Sequence, residues 1–213
     1  MTTHAYQETY LSKAQSALGD AFDYAVGTCH IPGADFIKLF AASSVSRRME
    51  NGEPACLAGK SGIEIASDVL LETTGKRPEA TPPEHFGRSP EYWIGWALCY
   101  YQWFSARSYS DIFTVLTYED LANMYYTLHE ADITKFVDIV DEKVRAHFKD
   151  TNLKRIRSSY GCTQAELAKR SGVTLRSIQM YEQRNKDINK ASADALYRIS
   201  KVLGCSMESL LEK

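Results

Sequence analysis

The stretch TQAELAKRSGVTLRSIQMYE, from Thr163 to Glu182, constrains this chain more than any other segment. Thr163 is a good helix N-cap, and Glu166 three residues on completes a T-x-x-E capping box, so a short helix is expected from Gln164 through Arg170. Gly172 ends it, since glycine takes a left-handed cap conformation without a Cβ clash. Ala165, Leu167 and Ala168 suit its inner side, while Gln164, Lys169 and Arg170 are left for solvent or phosphate. Thr174 caps a second helix over about Leu175 to Gln183, in which Ile178 and Tyr181 or Glu182 repeat at three- and four-residue steps. Ile178 then points inward, and Leu175, Arg176, Gln179 and Met180 lie on or beside the free face.

Helical spacing continues on both sides. Leu153 and Ile156 suit a preceding helix; Ala195, Leu196, Ile199, Val202 and Leu203 mark an amphipathic one ending at Gly204; Ser206, Ser209, Leu210 and Leu211 suggest a last short turn. Five helices in about 60 residues, with TQAELAKRSGV followed by I-x-x-Y-E, resemble the XRE family of repressor-like helix-turn-helix domains over Leu153 to Leu211. The resemblance implies binding of double-stranded DNA, as a homodimer on half-sites about one helical turn apart. By it, Gln164 touches the phosphate backbone; Thr174, Leu175, Arg176, Ser177 and Met180 face base edges or adjacent phosphates, with Gln179 beside them; and Arg184, Asn185 and Lys186 grip phosphates beyond the helix end. Arg176 is the expected base reader, because a guanidinium pairs bidentately with guanine O6 and N7. Two positions depart from the family. Arg184 stands where glycine is usual, so Arg184 or Asn185 must accept positive φ, and Met180 fills a slot more often polar.

Charge separates this segment from the rest. Residues 151–213 hold 12 Lys and Arg against 6 Asp and Glu, while residues 1–150 hold 13 against 21. A basic module on an acidic body is the layout expected when only one end meets phosphate. The chain is therefore expected as an N-terminal helical domain, 1–150, and a C-terminal five-helix domain, 151–213, all-α throughout. No apolar run approaches the roughly 20 residues that span a bilayer, and MTTHAYQETY has no secretory leader pattern, which leads us to expect a cytoplasmic protein. The five cysteines, Cys29, Cys56, Cys99, Cys162 and Cys205, are scattered and odd in number; they read as small core residues.

The first 150 residues carry helix patterns only. Leu11, Ala14, Leu18, Phe22 and Ala25 draw one stripe over Tyr6 to Val26. Asp35 is expected to cap a helix holding Phe36, Leu39, Phe40 and Met49 and closed by Gly52; Ser61 with Glu64 opens another, bearing Ile63, Ala66, Val69 and Leu70 and stopping at Gly75. Residues 76–90, KRPEATPPEHFGRSP, hold four of the six prolines and read as an extended connector. Ser89 then caps, and Pro90 begins, the next helix. Further on, Thr117 with Asp120 caps a helix containing Leu121, Met124 and Tyr125, and Asp132 leads one with Ile133, Phe136, Val137, Val140 and Val144 that is expected to run through Phe148.

The helix after Pro90 is unusual. Of 24 aromatic residues, 12 fall between Tyr92 and Tyr126, and Trp93, Trp96, Tyr100 and Trp103 or Phe104 follow helical spacing. One reading is a core helix anchored by large rings; the other is a binding groove or protein interface formed by Trp93, Trp96, Tyr100 and Trp103. The blocks SGIEIASDVL, SPEYWIGWALCYYQWF and YEDLANMYYTLHEADITKFVDIV also resemble an extension that accompanies XRE domains in bacterial regulators, some encoded beside toxin genes. That resemblance implies an autoregulating antitoxin whose body binds a toxin protein; the alternative is a one-component regulator whose aromatic body senses a small molecule.

An enzyme is not expected. His4, His30, His85, His129 and His147 show no metal-ligand spacing, and no nucleophile elbow or phosphate-cradling glycine loop occurs, so no metal, cofactor or catalytic residue is assigned. The HEAD sequence, His129 to Asp132, reads as the end of one helix and the cap of the next.

Overall fold

The structure, a computed structural model, describes residues 4–81, 87–148 and 150–212. Among them every regular element is helical and no strand occurs, so the chain is all-α. It divides into two compact units, Met1–Val144 and Arg145–Lys213, a division six residues before the boundary placed in sequence.

In the first unit a 3-10 turn, Glu8–Tyr10, leads into α1 (Leu11–Phe22), which continues as a π-helical turn, Asp23–Thr28. Leu11, Ala14, Leu18, Phe22 and Ala25 are all buried, as their stripe predicts. Next come α2 (Gly33–Ala42) and α3 (Ser44–Glu50), where the sequence reading has a single helix. Ser43 breaks it: its backbone is extended and its hydroxyl accepts from Ser46 N at 3.3 Å. A serine that bonds nearby backbone offers the chain an alternative to continuing the helix. Asp35 accordingly sits in the first turn of α2 and does not cap it.

A short α4 (Pro54–Leu57) precedes α5 (Gly62–Thr74), which has the expected Ser61–Glu64 capping box and ends on Gly75 at φ 72°. Ile63, read as inward, is 38% exposed, and Ile65 is fully buried in its place. Two residues are about 200° of helix, so both cannot face one core. The connector's described parts, Lys76 to Thr81 and Gly87 to Ser89, have no regular structure, and Tyr24 holds the first of them by donating to Ala80 O at 2.7 Å. Its residues 82–86, with His85, lie outside the described residues.

The aromatic segment is α6 (Pro90–Ser105), capped by Ser89 with Pro90 at its first position. It is followed by α7 (Tyr109–Val115), α8 (Tyr118–Leu128) and α9 (Ile133–His147), which stops before Phe148. α1 packs chiefly on α6 and α5. The crossing with α6 is close because two glycines sit in it: a Cβ at Gly95 would stand 2.4 Å from Leu18 O, and one at Gly19 would stand 2.8 Å from the Tyr92 ring. Behind it, Phe22 meets Phe36 and Phe40 edge-on at 5.0 and 6.2 Å, and Tyr109 closes on Phe40 at 4.8 Å. Tyr101, fully buried, donates to Asp141 at 2.7 Å and ties α6 to α9.

The second unit is α10 (Asn152–Ser159), α11 (Gln164–Ser171), α12 (Leu175–Glu182) and α13 (Ala193–Leu203), with 3-10 turns at Ile188–Lys190 and Glu208–Leu210. Leu153, Leu167, Ile178, Ile199 and Leu210 are fully buried in one core to which every helix of the unit contributes. No helix of the described residues is long and apolar enough to cross a membrane. The five cysteines are unpaired; Cys56, Cys99 and Cys162 are buried and Cys29 and Cys205 half-buried.

Candidate nucleic-acid interface

α11 begins as its sequence dictates. Glu166 N donates to Thr163 Oγ1 at 3.2 Å; in return Thr163 N at 2.8 Å and Thr163 Oγ1 at 2.7 Å donate to Glu166 Oε2, and these two bonds to the carboxylate hold it below its usual range. Gly172 at φ 69° ends the helix, Val173 drops onto the core, and Thr174 caps α12 by accepting from Ser177 N at 3.2 Å. The two helices thus meet at a turn of three residues, Gly172 to Thr174.

α12 hides Ile178, Tyr181 and Glu182 and turns Thr174, Leu175 and Arg176 to solvent, with Ser177, Gln179 and Met180 half-buried beside them. Leu175, 40% exposed, puts an apolar side chain on this free face. Glu182 is the anchor of the pair. Its carboxylate, 1% exposed, accepts from Arg157 Nε at 2.6 Å and Nη2 at 3.0 Å, and from Gln164 Nε2 at 2.7 Å. Arg157 also donates to Cys162 O at 2.6 Å, and its guanidinium is held above its ordinary range first of all by the bond to Glu182. One buried acid therefore joins α10, the first residue of α11 and the last turn of α12. Gln164 keeps a second amide hydrogen, at a helix N-terminus where the backbone N–H groups favour an anion.

The turn after α12 resolves the glycine question: Arg184 itself takes the left-handed conformation, φ 58°. For a residue with a Cβ this costs about 1–2 kcal/mol. Its guanidinium donates to Phe148 O at 2.9 Å and lies 3.4 Å from Glu212, bonds within the unit that offset the strain. A phosphate contact from Arg184 has to compete with them. Asn185 bonds Gln183 at 3.1 Å, and Lys186 stands over the Tyr181 ring at 5.2 Å with its ammonium at the surface.

Beside α12 lies an open cleft of about 380 Å³ that sequence reading did not find. Lys186, Lys190 and Arg198 line it, together with Thr174, Ser177 and Ser192, the N-cap of α13. Arg198 is paired with Asp194 at 2.9 Å and Lys190 with Asp187 at 3.7 Å, so among the described residues Lys186 is the cation of the cleft that stands outside an ion pair. Of the lining residues, Thr174, Ser177 and Lys186 were expected from the sequence as contacts, and Lys190, Ser192 and Arg198 were not. The cations come from separate segments that the fold brings together.

The four aromatic positions singled out in the first unit divide. Trp93 and Trp96 are half-buried and line one cavity, Tyr100 is half-buried and stacked between Trp96 and Phe104, and Trp103 is 5% exposed, stacked on His4 at 3.8 Å and donating to Tyr6 O. His129 and Glu130 follow α8 and Asp132 accepts from Thr134 N at 2.9 Å, so HEAD forms a helix end and the start of the next. Among the described residues no cluster of His, Cys, Asp or Glu is arranged to hold a metal.

A short capped helix, a three-residue turn, and a second helix whose first residues, Leu175 and Arg176, are exposed on a basic unit define a helix-turn-helix DNA-binding domain. Residues 153–210 match the helix-turn-helix family model, and the second unit is an XRE-family domain of that class. The protein is a DNA-binding transcription regulator. No curated protein and no solved structure matches the chain at a significant level.

Proposed function

We propose that this regulator recognises one operator sequence and represses by occupying it, as a homodimer with one α12 in each of two successive major grooves. Arg176 carries the reading. It is exposed in the first turn of α12, on a helix fixed by Ile178 and by the buried Glu182 network, which is where a side chain must be rigidly presented to pair with a guanine edge. Thr174, Leu175, Ser177, Gln179 and Met180 complete the face toward the bases, Met180 with only an apolar contact to offer. Gln164, Asn185 and Lys186 serve phosphates, joined by Lys190 and Ser192 from the cleft, while Arg184 does so only by leaving Glu212.

Two readings of the first unit were open: a surface for a partner protein such as a toxin, or a receptor for a small molecule. The cavity at Trp93 and Trp96 supports the second. Among the described residues the large apolar side chains exposed in that unit are Ile63, Leu71, Tyr126 and Ile139, and none of the four aromatics expected at an interface is among them.

The test uses duplexes selected from random sequence and fluorescence anisotropy on the full chain. Arg176→Ala is expected to weaken the preferred operator by about 1–3 kcal/mol and leave unrelated DNA nearly unchanged. Lys186→Ala is expected to weaken both alike and to lower the salt slope by about one. Equal losses on both DNAs from Arg176→Ala would make it a phosphate contact and remove the proposed reader.

A further inference from the structure

The cavity at α6 has an ordered wall. Its volume is about 340 Å³, within the range of sites for small organic molecules, and Arg88, Tyr92, Trp93, Trp96, Tyr125 and His129 line it. Trp93 is held edge-on by Phe136 at 5.6 Å and by Tyr125 at 5.8 Å, and Tyr125 is stacked in turn on His129 at 4.5 Å. His129 is oriented by a 2.8 Å bond from its Nδ1 to Tyr125 O. These rings are fixed by one another, so a flat guest does not have to order them first.

Charge selects the guest. Among the described residues the cavity is lined by one guanidinium, Arg88, and one imidazole, His129, and by no carboxylate. Arg88 Cζ stands over the Tyr92 ring, 4.5 Å from its centroid, and among the described residues Arg88 makes no hydrogen bond or ion pair. A guanidinium beside an aromatic ring keeps its N–H fork, which matches a carboxylate bidentately. Asp20 feels Arg88, and Glu130 stands 3.7 Å from His129 Nε2, but neither reaches the lining. A cation among these rings would face Arg88 at close quarters.

We propose that this cavity binds a small aromatic carboxylate, its ring against Trp93, Trp96 and Tyr125 and its acid group on Arg88. The proposal rests on reading the first unit as a ligand receptor, and it fails separately from it. Titration calorimetry on the full chain would compare benzoate, 4-hydroxybenzoate and indole-3-acetate with neutral benzamide and with choline. At least one acid is expected to bind, and benzamide to bind about tenfold or more weaker, the loss typical of one bond to a charged group. Arg88→Ala is expected to abolish that difference, and Trp96→Ala to weaken acid and amide together. Acid binding insensitive to Arg88→Ala overturns the assignment. Tighter binding of benzamide or choline, lost in Trp96→Ala, overturns the acid and keeps the receptor. No heat with any of the five, to the limit of solubility, overturns both.

Discussion

α12 and α6 both start at a hydroxyl cap, Thr174 and Ser89, and the resemblance ends there. α12 buries three side chains and exposes Leu175 and Arg176 at its start; α6 buries nine residues from Tyr92 to Trp103 and leaves a half-buried strip of Trp93, Trp96, Tyr100 and Phe104. A short amphipathic helix writes its orientation into its sequence, because each polar residue marks the water side. A helix apolar on all sides is buried on most of them, and its composition leaves the outward strip undefined. The DNA-facing element was therefore readable residue by residue, and the aromatic one only as a helix.

Three changes would break this contrast, beginning with the largest. Glu182→Ala removes the acid that Arg157 and Gln164 share and leaves a guanidinium only 12% exposed without its partner. Loss of one member of a buried pair costs about 3–5 kcal/mol. Urea unfolding is expected to show that loss in the transition of the second unit, with the first unit's melting unchanged; a loss below about 1 kcal/mol, the size of an ordinary surface pair, would mean the network does not hold the helix pair.

Gly95→Ala tests the other side of the comparison. Its new methyl would meet Leu18 backbone, which cannot swing away as a side chain can, and overpacking of this kind costs about 1–3 kcal/mol or more. The destabilisation belongs to the first unit, so operator affinity measured at low temperature on folded protein is expected to hold. A neutral Gly95→Ala would show that α1 and α6 can separate without loss.

The smallest effect is expected from Thr163→Ala. It deletes the hydroxyl that accepts from Glu166 N and costs about 1 kcal/mol of second-unit stability. Retention of stability by Thr163→Ser, and not by Thr163→Val, would identify the hydroxyl as the cause; retention by Thr163→Val, and not by Thr163→Ser, would point to side-chain volume.

Much of the backbone was legible in local chemistry. The capping boxes at Ser61, Thr117 and Thr163 and the glycine stops at Gly75, Gly172 and Gly204 all formed as read, because a cap is decided by residues three or four apart. Misreadings arose where two local signals competed. At Ser43 the apolar spacing continued while the serine broke the helix, and Ile63 and Ile65 offered two faces of which packing chose one. α7 was missed because its cap, Ser108, opens a helix of only seven residues inside the aromatic block.

The sequence by itself determined that the chain is helical, that its C-terminal part is a helix-turn-helix domain, and that Arg176 is presented outward, since caps, short-range spacing and side-chain polarity act within one helical turn. Only the tertiary structure decided that Arg184 takes the left-handed turn and bonds Phe148 and Glu212, that Lys186 and Lys190 share a cleft with Ser192, and that Trp93 and Trp96 face a cavity while Trp103 lies in the core. Each of these joins residues far apart along the chain. Proximity of that kind is set by how helices pack, and the order of residues within any one helix does not contain it.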